Sequence, residues 1–158
     1  MATYTRQMQT IVEDYRAAGE PWPATALAMA DWAVRTGRWK LPGTYAVKKC
    51  AEDLAGAMRE EYVTDKKGRR VRVKHAAKVY RNGEQFVLWH DMRDATRAQM
   101  EVSFQQRRQQ VVNDCVQLKA DVDHFNEAHP GEKPIQLVLD FAMDVAEIEA
   151  ANQGDEAA

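Results

Sequence analysis

The most unusual feature of the sequence is a run of basic side chains near its middle. Residues 66–81 contain eight cations, and no carboxylate lies between Asp65 and Glu84. Cations at alternate positions of a projecting strand neutralise phosphates, and arginine can hold a phosphate through two hydrogen bonds. We therefore expect DNA as the partner, with RNA left open, although a charge-protected edge strand or an acidic protein partner would leave the same pattern. The cations are Lys66, Lys67, Arg69, Arg70, Arg72, Lys74, Lys78 and Arg81.

A second stretch, residues 105–110, consists of a pair of arginines with two glutamines on each side. Amide and guanidinium groups can contact base edges or phosphates. The same residue types are also good helix formers on a solvated face. The sequence favours this helix-surface interpretation.

No residues in the chain have the spacing that catalysis or cofactor binding requires. The chain contains no G-x-S-x-G, no P-loop and no G-x-G-x-x-G pattern. His75, His90, His124 and His129 show no metal-ligand spacing, and Cys50 and Cys115 lie far apart on predicted apolar stripes. We therefore predict a protein that is not an enzyme and has no cofactor, no metal and no catalytic residues.

The charge of the chain is unevenly divided. Residues 65–120 carry 13 basic and 6 acidic side chains, net +7, whereas residues 121–158 carry 1 basic and 10 acidic side chains, net −9. The acidic C-terminal part is a candidate surface for a basic protein partner. No apolar run approaches the roughly 20 residues that span a bilayer, and residues 1–6 show no secretory pattern. With only two cysteines, the expected location is the cytoplasm, with no membrane association.

Three helices are predicted before the basic run. Residues 3–18 have apolar side chains at spacings of three and four. A second helix covers residues 24–36, and Thr44 is expected to cap a third helix that runs to about residue 61. The expected buried side of the second helix consists of Leu27, Ala30 and Val34. The expected apolar face of the third consists of Val47, Cys50, Ala51, Leu54, Met58 and Tyr62.

The pattern then changes to that of a small antiparallel sheet. Val71 and Val73 alternate with cations, and Gly68 suits a tight turn, which predicts a β-hairpin over residues 62–74. Further strands are expected at residues 77–80 and 85–90, joined through the turn signal Asn82-Gly83.

A long helix is predicted from residue 95 to about residue 126. Val111, Cys115, Leu118, Val122 and Phe125 follow one another at spacings of 4, 3, 4 and 3, as in the packing seam between two helices. We therefore expect a homodimer that forms through this helix. A short terminal helix covers residues 135–150, although residues 135–139 suit a strand equally well. Residues 152–158 are expected to be a disordered acidic tail.

Two resemblances follow from these patterns. Residues 37–42 (GRWKLP), with residues 59–65 (REEYVTD) and 68–72 (GRRVR), resemble a group of uncharacterised bacterial proteins, which implies no activity. Three helices followed by a basic hairpin resemble a winged helix-turn-helix domain. This second resemblance implies that the third helix enters the major groove of DNA and that the hairpin contacts phosphates. The residues it offers for base contact are Thr44, Tyr45, Lys48 and Lys49.

The sequence thus predicts an α+β, mainly α protein in three parts. A winged-helix-like module occupies residues 1–94, the long and terminal helices occupy residues 95–151, and the tail follows. The expected function is that of a non-enzymatic DNA-binding protein, a transcriptional regulator or accessory factor. The alternative is a protein-interaction adaptor that uses the long helix and the acidic C-terminus.

Overall fold

The computed structural model describes residues 3–156, which form five helices and two β-hairpins. This architecture confirms the predicted α+β, mainly α class. The elements are α1 (Tyr4–Ala17), α2 (Ala26–Arg35), α3 (Tyr45–Arg59), β1 (Tyr62–Thr64), β2 (Arg70–Arg72), β3 (Lys74–Arg81), β4 (Glu84–Asp91), α4 (Arg97–Ala128) and α5 (Ala142–Glu156). The chain forms two compact units, one up to Asp53 and the other from Leu54 onward. This division lies within α3, whereas the sequence pattern placed a boundary at residue 94.

Threonine side chains fix where three of the helices begin. Thr3, Thr25 and Thr96 each accept a hydrogen bond from a backbone N–H of the first helical turn, at 3.1–3.2 Å. At α4 the capping is reciprocal, because the side chain of Gln99 accepts a hydrogen bond from the backbone N–H of Thr96 at 2.9 Å. Such caps satisfy N–H groups that have no partner within the helix. The predicted starts of α1, α2 and α4 are therefore correct to within two residues.

The first unit has a small aromatic core between α1 and α2. Its buried members are Ile11, Tyr15, Trp32 and Ala33. The rings of Tyr15 and Trp32 meet edge to face at 5.4 Å, and the guanidinium of Arg38 lies 4.3 Å from the centre of the Trp32 ring.

Two expectations for the helices of this unit are wrong. Leu27, Ala30 and Val34 are exposed, because the large Trp32 ring packs on α1 and brings the stripe of Met29, Trp32 and Ala33 to the core. The apolar face predicted for α3 is also mostly exposed: α3 has no buried residue, and of the predicted face only Met58 and Tyr62 are half-buried. Its first residue, Tyr45, makes an edge-to-face contact with Trp39 at 6.3 Å.

The second unit contains the strands, which form two separate two-stranded antiparallel sheets rather than one. Tyr62 pairs with Arg72 in the first sheet, and Lys74 pairs with Asp91 in the second. Val73 lies between β2 and β3 and is completely buried. Its N–H donates to the carbonyl of Glu61, and its carbonyl accepts from the N–H of Met92. These two bonds join the two hairpins through Val73.

Helix α4 packs on β3 through its N-terminal half. Met100 and Ser103 are buried, and the Phe104 ring meets His75 edge to face at 5.3 Å. Gln106 also binds β3 as a neighbouring strand would: its amide accepts from the backbone N–H of Lys78 at 2.7 Å and donates to the Lys78 carbonyl at 2.9 Å. The 32 residues of α4 correspond to about 48 Å.

The C-terminal part differs from its prediction in two respects. Residues 135–139 are neither strand nor helix, and α5 begins only at Ala142. The side-chain amide of Asn126 holds Ile135 through two backbone hydrogen bonds of 2.9 Å, which keeps this segment extended along α4. Helix α5 continues to Glu156, so the part of the expected disordered tail from Asn152 to Glu156 is helical, and the last two residues lie outside the described region. No helix within residues 3–156 is long and apolar enough to cross a membrane.

Candidate nucleic-acid interface

The turn of the first hairpin is organised by Asp65. Its carboxylate accepts hydrogen bonds from the backbone N–H groups of Lys67 and Arg69 at 2.9 Å, and from the Arg69 side chain at 2.7 Å. The bond from the Arg69 side chain is the main reason that the pKa of Asp65 lies below its usual range. Gly68 adopts a φ of +76°, which favours glycine. The turn is thus held by its own residues.

The two lysines at this turn are free to bind a ligand. Lys66 and Lys67 are exposed, and neither makes an ion pair with any described residue. Arg69, by contrast, forms an ion pair with Asp65 at 2.6 Å. A cation that already has a carboxylate partner gains less from a phosphate, because the existing pair must first be broken. The predicted role of Arg69 as a phosphate contact is therefore weakened, and its structural role is to hold the turn.

Two further arginines of the run lie beside an aromatic ring. The guanidinium of Arg70 is 3.8 Å from the centre of the Tyr62 ring, and that of Arg72 is 5.8 Å from it. Arg72 also donates to the Tyr62 hydroxyl at 3.4 Å. A ring orients a guanidinium without neutralising its charge. Both arginines thus keep their ability to bind an anion.

Lys74 is part of an ion-pair cluster rather than a free cation. Its ammonium group lies 3.0 Å from Asp91 and 3.1 Å from Glu61. The hydrogen bonds to these two carboxylates raise the pKa of Lys74. Arg93 completes the cluster, 2.7 Å from Asp91. Lys74 therefore joins Glu61, which directly precedes β1, to the second hairpin, and its predicted role in phosphate contact is not favoured.

We expect this cluster to stabilise the second unit in a pH-dependent manner. Hydrogen bonds from Arg93, and then from Lys74, hold the pKa of Asp91 well below its usual range. A lowered pKa in the folded state stabilises the protein fully above the unfolded value of about 4, and the effect is lost as the pH falls further. Asp91→Asn should therefore lower the urea midpoint at pH 7 and have progressively less effect toward pH 2, as measured by circular dichroism.

Asp94→Asn is the matched control, because Asp94 makes no ion pair within the described residues. It should change the midpoint little at any pH. An Asp91→Asn effect of the same size at pH 2 and pH 7 would contradict the electrostatic explanation.

The second hairpin and α4 enclose a groove with a volume of about 720 Å³. Lys78, at its β3 wall, is exposed and makes no ion pair among the described residues, and the same is true of Arg107 on α4 and of Arg81 at the end of β3, outside the groove. The groove is lined by Arg59, Arg72, Lys74, His75, Ala76, Lys78, Tyr80, Val87, Trp89, Ser103, Gln106, Arg107, Gln109, Gln110 and Asn113. Five of these residues are lysine or arginine and none is acidic, so the groove favours an anionic ligand.

The residues offered for base contact lie at the start of α3, in the first unit. Lys48 is exposed without an ion pair among the described residues, and Thr44 directly precedes the helix. Lys49 forms an ion pair with Asp53, four residues further along the helix. The ring of Tyr45 already packs edge to face against Trp39. Lys48 and Thr44 are therefore the more available members of this set.

Sequence reasoning did not identify several residues of the groove. Arg59, Ser103 and Trp89 are separated by 14 or more positions in the chain, and only folding brings them to one surface. The one available signal is the stretch at residues 105–110, whose composition favours a solvated helix surface. Four of its members, Gln106, Arg107, Gln109 and Gln110, line the groove.

Other chemistry is not visible in the described part of the chain. No three histidine, cysteine, aspartate or glutamate side chains within residues 3–156 come together in a way that could hold a metal ion. Cys50 is exposed and Cys115 is half-buried, and both are free thiols. No protein-family model, curated protein or solved structure matches the chain. The two resemblances noted from the sequence therefore remain predictions.

Proposed function

We propose that the protein binds DNA without catalysing a reaction, as a transcriptional regulator or accessory factor. One observation carries this proposal: the cations of the two hairpins outnumber their carboxylate partners, and those without an ion pair are exposed, apart from the half-buried Arg72. Lys66 and Lys67 at the first turn, and Lys78 and Arg81 on β3, belong to this group. Phosphate neutralisation by such cations drives association with nucleic acid. Arg70 and Arg72, oriented by Tyr62, add two more phosphate contacts.

The order of elements supports a winged-helix-like mode of binding. Three helices precede the basic hairpin in chain order, as in that architecture, and we assign α3 as the recognition helix. In this proposal Lys48 and Thr44 contact bases, and the hairpin contacts the phosphate backbone. Phosphate contacts fix position without reading sequence. Selectivity for a DNA sequence therefore depends on α3.

The direct test is the salt dependence of binding to a mixed-sequence 30-base-pair DNA duplex, measured by fluorescence anisotropy. Six phosphate contacts predict that affinity falls about a thousandfold between 50 and 200 mM salt. An RNA duplex of the same sequence distinguishes DNA from RNA. Absence of binding to either duplex at 50 mM salt would rule out the proposal.

A second proposal concerns the exposed apolar surface of α4, which fits a second copy of this chain. Val111, Leu118 and Phe125 are exposed, and Cys115 and Val122 between them are half-buried. The 4,3 spacing of these five residues is the repeat that lets two helices pack along their length. Exposed apolar surface of this kind is typical of protein interfaces. The homodimer predicted from the sequence is therefore supported by the exposure of the seam.

We expect Val111→Glu combined with Leu118→Glu to convert a dimer to a monomer, because two carboxylates per chain would enter the apolar seam. Light scattering coupled to gel filtration would show the mass halved. Leu27→Glu, an equally polar change at an exposed leucine of α2, should leave the mass unchanged. A wild-type protein that is monomeric at 100 μM would contradict the homodimer.

The alternative function, a protein-interaction adaptor, is favoured by α5. This helix carries five carboxylates and no lysine or arginine, while Met143, Val145 and Ile148 are exposed. A basic, partly apolar protein surface fits this combination. In that case the hairpin lysines would be dispensable for the partner.

A further inference from the structure

Two buried polar atoms at the groove between α4 and the second hairpin have no hydrogen-bond partner among the described residues. They are the Ser103 hydroxyl, in a residue that is only 2% exposed, and Nε of Arg72. Both residues line the groove. A buried polar group without a partner costs free energy, and native proteins rarely leave one in place. The two atoms therefore indicate a polar ligand that reaches the wall of the groove.

The charge of the groove defines the sign of that ligand. Arg72, Lys78 and Arg107 line it and make no ion pair with a described residue. No aspartate or glutamate is among the lining residues. An anion is thus attracted without competition from a neighbouring carboxylate.

The remaining lining residues indicate a ligand that carries another group besides a phosphate. Trp89 and Tyr80 contribute aromatic rings, and the guanidinium of Arg59 lies 5.5 Å from the centre of the Trp89 ring. Gln110 contributes an amide that makes no side-chain hydrogen bond to a described residue. Aromatic rings stack on nucleobases, and amides pair with base edges. A cationic groove with aromatic and amide groups matches a nucleotide unit, in which a base and a phosphate are joined.

The concave shape of the groove suits a single strand better than a duplex. A DNA duplex is read by a protruding helix or ribbon that enters its major groove, whereas this surface is concave. Its volume of about 720 Å³ lies in the range of sites for small ligands, roughly 300–1,000 Å³. A single strand, with its bases turned outward, can enter such a groove one unit at a time.

We propose that the groove between α4 and the second hairpin binds single-stranded nucleic acid, with a phosphate held by Arg72, Lys78 and Arg107 and a base placed against Trp89. This inference rests on the proposed nucleic-acid binding and adds a strand-selective site to it. A free nucleotide also carries a base and a phosphate, so the test includes a free nucleotide as well as an oligonucleotide.

The test compares a fluorescein-labelled twelve-residue oligothymidylate with a duplex of the same length, by anisotropy at 50 mM salt. Arg107→Ala combined with Gln110→Ala removes two groove residues from the solvated face of α4. We expect this variant to bind the oligothymidylate at least about tenfold more weakly. The matched control is Arg108→Ala with Gln105→Ala, which makes the same changes on the same helix outside the groove, and it should bind within about twofold of wild type.

A third variant, Ser103→Ala, tests the unpartnered hydroxyl. It should weaken oligothymidylate binding while leaving the thermal midpoint of the free protein unchanged or higher, because the hydroxyl has no partner to lose. A lowered midpoint with unchanged binding would mean that Ser103 has only a structural role and would overturn its assignment to the ligand.

The outcomes distinguish the single-strand site in the groove from the proposed DNA binding. If the duplex binds but the Arg107→Ala/Gln110→Ala variant binds oligothymidylate like wild type, the groove inference is wrong and the DNA-binding proposal stands. If neither probe binds wild type, both fail. If thymidine monophosphate binds as tightly as the oligomer, the ligand is a free nucleotide and the single-strand assignment is overturned.

Discussion

Replacement of both Lys66 and Lys67 by alanine is expected to weaken binding to a DNA duplex roughly tenfold to a hundredfold at 0.1 M salt. The slope of log affinity against log salt should become shallower by nearly 2, because each lost phosphate contact changes the slope by about 0.9. Both side chains are exposed at the turn of the first hairpin without an ion pair among the described residues. The loss should be similar for all sequences, since phosphate contacts do not read bases.

The control for this variant removes the same charge from another place. Lys119→Ala with Lys133→Ala also lowers the net charge by two, but Lys119 already forms an ion pair with Asp123. It should change the salt slope little. Arg69→Ala should likewise have a smaller effect than either turn lysine, because Asp65 already neutralises Arg69. If Lys119→Ala with Lys133→Ala weakens binding as much as Lys66→Ala with Lys67→Ala, only total charge matters and the hairpin turn is not a specific contact.

Trp32→Ala is expected to destabilise the first unit by about 3–5 kcal/mol, the usual cost of truncating a buried large aromatic residue. Trp32 is 5% exposed and is the largest member of the core, packed between the Tyr15 ring and the Arg38 guanidinium. The small core that remains, Ile11, Tyr15 and Ala33, cannot fill the space of an indole ring. Urea unfolding followed by circular dichroism, with hydrogen exchange at the amides of α1 and α2, would measure the loss.

Trp22→Ala provides a matched comparison in the same unit. Trp22 is 49% exposed and contacts the guanidinium of Arg16 at 4.6 Å. An exposed cation–π contact is worth about 0.5–1 kcal/mol, so the loss should be several-fold smaller. If the two variants unfold at the same urea concentration, the aromatic core between α1 and α2 does not stabilise this unit.

Local patterns in the sequence were sufficient to predict the elements. The threonines that cap α1, α2 and α4 use only residues within the first turn, so the helix starts can be read from the chain alone. Gly68 and the pair Asn82-Gly83 occupy the positive-φ positions of the two hairpin turns, as a local signal predicts. The candidate cations are also visible as a run that no carboxylate interrupts. Each of these features depends on residues a few positions apart.

The faces of the helices were less predictable, because burial depends on the partner surface. In α2 the aliphatic residues Leu27 and Val34 are exposed. Trp32 is buried, because Tyr15 of α1 makes an edge-to-face contact with its ring. Helix α3 has a clear apolar stripe but no buried residue. The extension of α5 to Glu156 was missed because an acidic, polar sequence has no periodic apolar signal.

The sequence by itself determined the class of the protein, the order of its helices and hairpins, and the excess of positive charge in residues 66–81. Only the tertiary structure decided which of those cations are available. Asp65 neutralises Arg69 within the turn, but Asp91 reaches Lys74 from 17 positions away, through the pairing of β3 and β4. The same long-range packing bonds Gln106 of α4 to Lys78 and brings Ser103, Arg107 and Lys78 to one groove. Charge is a property of composition, whereas its availability depends on distances of a few ångströms that only the folded chain fixes.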